Sequence, residues 1–133
     1  MDTPILLPDR APTLCVVPMP SDANASGDIF GGWIMSQVDM AGSVVAARRA
    51  QGRVVTVAVN AFLFKKPVYI GDVVSFYGKV TKVGHTSLTV EVIVFAERGL
   101  LSLDVGATLM VTEATLTYVA MDASGAKRPV PGL

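Results

Sequence analysis

The chain has 133 residues, 51% of them hydrophobic, with a mean hydropathy of +0.52 and 11 basic residues set against 11 acidic ones. That length fits one domain. The balanced charge, without a basic block, excludes a general nucleic-acid binder, the apolar runs are too short to span a membrane, and the single Cys15 excludes an internal disulfide.

From the N-terminus, Met1 to Arg10 lacks a basic start and a long apolar core, so it does not read as a secretion signal. With the lone cysteine, this predicts a cytoplasmic protein. Residues 1–12 contain Pro4, Pro8 and Pro12 and read as an irregular arm ahead of one domain over 13–131. Thr13 to Val17 is a short strand candidate, stopped by Pro18 and Pro20. Cys15 lies inside its apolar run and is expected to be a buried, inert thiol. Ser21 to Gly27 is a polar loop.

From Phe30 to about Arg49 the spacing becomes helical, with Phe30, Ile34, Val38, Ala41 and Val45 on one stripe. Few bulky polar residues interrupt it, which predicts burial on most sides. Arg48 and Arg49 complement the dipole in the last turn, and Gly52 suits a left-handed cap. Beyond Gly52 the period is strand-like. Val54 to Phe64, Val73 to Val83, Ser87 to Glu97 and Leu109 to Met121 are predicted strands. The second and third flank a hairpin at Gly84-His85-Thr86. In 98–108, Arg98-Gly99 and Asp104-Val105-Gly106 suggest turns, as does Asp122-Ala123-Ser124-Gly125 further on. One strand, one long apolar helix and then a meander make an α+β fold, a helix covered by a mostly antiparallel sheet of five to six strands. An apolar helix of this kind is too much surface for a lone small subunit, so an oligomer is expected.

The segment Asn24 to Trp33 is the most informative. Asp28 lies just ahead of the predicted helix, and Gly31 and Gly32 leave backbone N–H groups open to close approach. A carboxylate beside helix N-terminal amides supplies two parts of an acyl-transfer site: a group that activates or becomes the nucleophile, and donors for a developing oxyanion near Gly31, Gly32 or Trp33. Each residue also has a plainer reading. Asp28 would cap the helix, Asn24 would serve a turn, Thr56 would be a strand residue, and Gly84 would satisfy a hairpin. Arg53, Lys65 and Lys66 would be solvated. One histidine and one cysteine, far apart, argue against a zinc site.

The run Met19 to Met35, containing Asn24-Ala25-Ser26-Gly27-Asp28-Ile29-Phe30-Gly31-Gly32-Trp33, resembles the signature of hotdog-fold acyl-CoA thioesterases, the small bacterial YciA-type enzymes among them. The resemblance continues through Gly52-Arg53-Val54-Val55-Thr56-Val57, Phe64-Lys65-Lys66-Pro67-Val68, Gly71-Asp72-Val73-Val74, Gly84-His85-Thr86-Ser87, and Thr112-Glu113-Ala114 to Gly125. The chain departs from the pattern at Asn60, at His85 and over 98–108.

This resemblance implies a long central helix wrapped by a curved sheet, and hydrolysis of acyl-CoA to free acid and CoA. It implies a homodimer at minimum, with sites at the subunit interface, and assembly into a trimer of dimers. It makes Asp28 the general base or the nucleophile of an anhydride route, with Asn24 orienting the thioester or water. A backbone amide at Gly32 would bind the oxyanion, and Thr56 would place a hydroxyl near the water from the partner chain. By their own chemistry, Gly84, Thr86 and Ser87 could offer donors to the CoA arm or its phosphates and Arg53, Lys65 and Lys66 could pair with the phosphates; Gly31 and Phe64 are further candidates for substrate contact, Phe64 with a plainer reading as a core or interface residue. CoA belongs to substrate and product, so no separate cofactor is expected, nor any nucleic-acid or membrane partner. A hotdog hydratase or dehydratase would need a histidine beside a carboxylate, and the only histidine, His85, is in a distant hairpin. A non-catalytic acyl-CoA sensor is the other alternative.

Overall fold

In the computed structural model, which describes residues 5–102 and 106–132, a twenty-residue helix, α1 (Gly31–Ala50), lies against one face of a five-stranded sheet. The strands are β1 (Leu14–Val16), β2 (Val54–Phe64), β3 (Val73–Val83), β4 (Ser87–Arg98) and β5 (Ala107–Ala120), and every neighbouring pair is antiparallel, in the order β1-β3-β4-β5-β2. The expected α+β arrangement of a wrapped helix is therefore present. Its strand boundaries differ from expectation by one or two residues at the ends of β1, β4 and β5. Of the turn expected at Asp104-Val105-Gly106, Asp104 and Val105 lie outside the described residues.

Alternation builds the core. Val90, Val92 and Val94 of β4 and Ala114, Leu116 and Tyr118 of β5 point inward, where they meet Ile34, Val38, Ala41 and Ala46 of α1. A single sheet covers one side of a helix only. The buried stripe begins at Ile34, and Phe30, Met35, Met40 and Val44 are exposed, so within one chain α1 is not buried on most sides.

Two local expectations are corrected. Gln51, not Gly52, takes the left-handed cap position of α1, at φ 54° and ψ 45°. Gly52 follows at φ 155°, and a β-carbon there would lie 2.8 Å from Arg128 Nη2, a group that itself donates to Ala50 O at 2.8 Å. The positive φ, which L side chains rarely adopt, is what keeps glycine at 52; the arginine tip packed over it could move aside. Cys15 is exposed rather than buried. On the edge strand β1, Leu14 and Val16 pack on the core, so period two turns Cys15 outward, where its sulfur accepts the Ser75 hydroxyl at 3.5 Å.

The opposite edge, β2, pairs only with β5, and its register shifts twice, between Thr56 and Ala58 and between Val59 and Ala61. Val57, Val59, Leu63 and Phe64 on this edge are each about half exposed. An apolar edge strand of eleven residues beside an apolar helix face is a surface that asks for a partner.

Candidate active site

A cavity of about 360 Å³ opens at the start of α1, lined by Asn24, Asp28, Ile29, Gly31, Ile34 and the run Phe64 to Val68. It brings Asn24, Asp28, Gly31, Phe64, Lys65 and Lys66 together.

The loop that enters the helix is held by its own polar groups. Asn24 Oδ1 accepts the N–H groups of Ser26 at 2.9 Å and Asp28 at 3.1 Å, and Asn24 N–H donates to Asp28 O at 2.7 Å. This is the turn role a short amide side chain performs well. It occupies the oxygen of Asn24 only, and the amide NH2 has no acceptor among the described residues. Gly27 supplies the positive φ of 89° that the turn requires. Beyond it, Asp28 forms an antiparallel bridge with Tyr69, Ile29 N–H donates to Val68 O at 2.8 Å, and Phe30 N–H donates to Asp22 O at 2.9 Å.

Asp28 does not cap α1. Phe30 is the N-cap, without a side-chain bond, and the Asp28 carboxylate has no partner among the described residues. Of the three amides considered for an oxyanion, Trp33 N–H is already given to Phe30 O at 3.1 Å. The N–H groups of Gly31 and Gly32 have no acceptor among the described residues, as the first two amides of a helix should not. Phe64 closes over this turn, its Cζ 3.2 Å from where a β-carbon on Gly31 would be. Lys65 pairs with Glu113 at 3.4 Å, both side chains over a third exposed, so the pair contributes little stability. Lys66 is exposed at the rim.

Arg53, Thr56, Gly84, His85, Thr86 and Ser87 are not at this cavity. Thr86 O accepts Ala120 N–H at 2.9 Å and His85 O accepts Val130 N–H at 2.8 Å, which sets the hairpin beside the cluster of Ala50, Leu88 and Ala120. Ala50 ends α1, and a helix of twenty residues is about 30 Å long. In one chain the hairpin and the Gly31 cavity are at opposite ends of the helix, and the sequence alone gave no register between them.

Asp39, which no sequence motif singles out, ties α1 to the sheet. Asp39 is the only charged side chain between Gly31 and Ala47. Its Oδ1 accepts the Thr56 hydroxyl at 2.6 Å and lies 3.0 Å from the Tyr118 hydroxyl, which is also 3.0 Å from Asp39 O. Tyr118 is fully buried. Burial first, then the Asp39 charge, raises its pKa far above the ordinary value. Gly42 makes the contact possible, since a β-carbon there would collide with the Tyr118 hydroxyl. A lone charge among the apolar and small residues ahead of the last turn of α1 was the available signal.

The described residues contain no grouping of His, Cys, Asp or Glu that could hold a metal ion, and no helix long and apolar enough to cross a membrane.

A family model described as the thioesterase superfamily matches residues 26–103. The chain is 46% identical over 113 residues to the acyl-CoA thioester hydrolase YciA of Salmonella typhimurium, an alignment covering 85% of this chain and 84% of that protein. Its fold matches that of an Asp-to-Ala mutant of HI0827, a hexameric broad-specificity acyl-coenzyme A thioesterase, with a TM-score of 0.85 and 47% identity over 91% of this chain and 86% of that one. It also matches a hexameric hotdog-fold thioesterase of Campylobacter jejuni, with a TM-score of 0.86 and 46% identity over 92% of this chain and 91% of that one.

Proposed function

The chain belongs to the thioesterase superfamily and is a hotdog-fold acyl-CoA thioester hydrolase, and from that premise we propose that its active site is completed only where two copies meet. The observation that carries this reading is the Asp39–Thr56 pair, which stands on the exposed β2 edge and away from the cavity that holds the free Gly31 and Gly32 amides. A twofold axis through Val59, the middle of β2, pairs the two edges antiparallel. It sets Thr56 of one copy across from the partner subunit's Phe62, two residues from the aromatic wall of the other cavity. The half-exposed Val57, Val59 and Leu63 lie along the edge that this pairing covers. Three such dimers give a hexamer, the state named for HI0827 and for the Campylobacter jejuni thioesterase.

In this site the thioester carbonyl oxygen accepts the Gly31 and Gly32 N–H groups and the Asn24 side-chain amide of one copy. The donors are fixed before charge develops, so they favour the tetrahedral oxyanion over the ground-state carbonyl. Asp39 of the second copy takes a proton from water as the water oxygen bonds to the carbonyl carbon. The Thr56 hydroxyl proton is committed to Asp39, which leaves the threonine oxygen to accept the water's other hydrogen. Collapse of the intermediate breaks the C–S bond, and the CoA sulfur takes the proton back from Asp39. Free acid and CoA leave, and no further cofactor enters this reading. Lys66 at the rim, Arg53, and the Gly84, Thr86 and Ser87 hairpin of a neighbouring copy are the groups offered to the CoA phosphates. A hydratase reading loses ground because His85 is exposed in its hairpin and, among the described residues, bonds through its backbone. One exposed thiol and no disulfide suit a cytoplasmic setting.

Asp28 gives the second reading, favoured by its position on the cavity wall with a carboxylate that has no partner among the described residues. Thiol release from a panel of acyl-CoAs decides between the two. Asp39→Asn should lose on the order of 10² to 10⁴ in kcat, while Asp28→Asn should lose under about tenfold. The reverse order assigns the base to Asp28. Full activity in both variants rejects a carboxylate mechanism.

A further inference from the structure

One guanidinium holds the strip of chain on which the helix entry is built. Arg98, the last residue of β4, donates from Nη2 to Pro67 O at 2.8 Å and to Asp72 Oδ2 at 3.0 Å, and from Nε to Asp72 Oδ1 at 3.2 Å. Its Cζ also stands 4.4 Å from the centre of the Tyr69 ring. Asp72 is 2% exposed, so its carboxylate depends on this fork. Asp72 Oδ2 in turn accepts Tyr69 N–H at 2.9 Å, and Gly71 turns the chain at φ 91°. Arg98 thus touches the first, middle and last parts of the segment 67–72. On its other side this same segment carries the active-site loop, because Val68 O accepts Ile29 N–H and Tyr69 bridges Asp28. Pro67 and Val68 wall the 360 Å³ cavity, while Tyr69, Asp72 and Arg98 line a second hollow of about 450 Å³.

We infer that Arg98 is a positioning residue for catalysis. It transmits the rigidity of β4 through Pro67–Asp72 to the Asn24–Gly32 loop, and so fixes where the oxyanion donors stand. A lysine cannot replace it, because a point charge does not reach a carbonyl and both oxygens of a carboxylate in one plane. The inference rests on the reading of Asn24, Gly31 and Gly32 as the carbonyl-binding side of the site. Asn24→Ala tests that reading separately: full activity in it removes the premise, whatever the Arg98 variants do.

The experiment compares wild type with Arg98→Met, Arg98→Lys and Arg98→Met/Asp72→Asn, each assayed for kcat and KM on one acyl-CoA. Rates are normalised to folded protein by circular dichroism and sedimentation. Because Arg98→Met leaves a buried carboxylate without its counter-charge and can prevent folding, the double variant, which removes both charges, keeps the test decisive. The expected result is a kcat lower by about tenfold or more in Arg98→Met and the double variant, with KM changed less than about twofold, since a displacement of about an ångström at the reacting groups is costly. Arg98→Lys should recover only part of the rate. An unchanged kcat per folded protomer, or a loss carried by KM alone, overturns the inference and leaves Arg98 a purely structural ion pair.

Discussion

The Thr56 hydroxyl donates to Asp39 Oδ1 at 2.6 Å, joining the middle of α1 to the open edge of β2. A hydroxyl has one proton, and here the carboxylate takes it. Thr56 therefore faces the surface as an acceptor, suited to a water molecule and unsuited to an oxyanion. Thr56→Val should lower kcat on the order of 10-fold to 100-fold with little change in KM, and Thr56→Ser should keep most of the rate. Steady-state thiol release checks this, and a valine variant with wild-type kcat rejects the role.

Gly42 and Tyr118 form a second coupled pair. Any β-carbon at 42 meets the Tyr118 hydroxyl in a fully packed core, so Gly42→Ala should destabilise the fold by about 1 to 3 kcal/mol. Removing the hydroxyl makes room. The Gly42→Ala/Tyr118→Phe double variant should be more stable than the sum of the two single changes predicts. Urea denaturation of the four proteins measures the coupling, and strict additivity counts against the steric explanation.

Much of this fold was legible because its signals are local. Four β-rich stretches separated by glycines and prolines, and one run of helical spacing, need no knowledge of what lies across the sheet. The loop at Asn24 to Gly32 was legible for the same reason, since Asn24 bonds to residues two and four positions on. What escaped depended on partners distant in sequence. Asp39 looks like a solvated helix residue until Thr56, 17 positions on, and Tyr118, 79 positions on, arrive beside it. Arg98 reads as a turn residue because nothing near it or near Asp72 announces a pairing across 26 positions. Cys15 was misplaced because an apolar run does not reveal that its strand is an edge with one face outward.

Burial and the Asp39 charge raise the Tyr118 pKa above its ordinary value of 10.0. The folded state thus keeps a proton that the unfolded chain releases above about pH 10. The corresponding stability is complete below that pH and is lost as pH rises further, through the folded-state value. Tyr118→Phe has no such proton. Its stability should fall less steeply than that of wild type on the alkaline side, in denaturant titrations taken on either side of pH 10. Parallel curves exclude Tyr118 as the source of the alkaline loss.

Val59 is half exposed at the centre of β2, where the proposed twofold axis passes. A charge there is not buried in the single chain, so Val59→Lys should leave each protomer folded. In the paired state two such charges would face one another across an apolar seam, an arrangement that edge strands use against association. The variant should therefore sediment near the 14.0 kDa of one chain while keeping its circular dichroism. Activity should disappear with the assembly, by on the order of 100-fold or more, because Asp39 and Thr56 no longer reach the cavity of a second copy. Mixing Val59→Lys with wild type at rising concentration separates the two effects, since any recovered heterodimer regains a complete site. A stable, fully active monomer would place both halves of the chemistry within one chain and contradict the shared site.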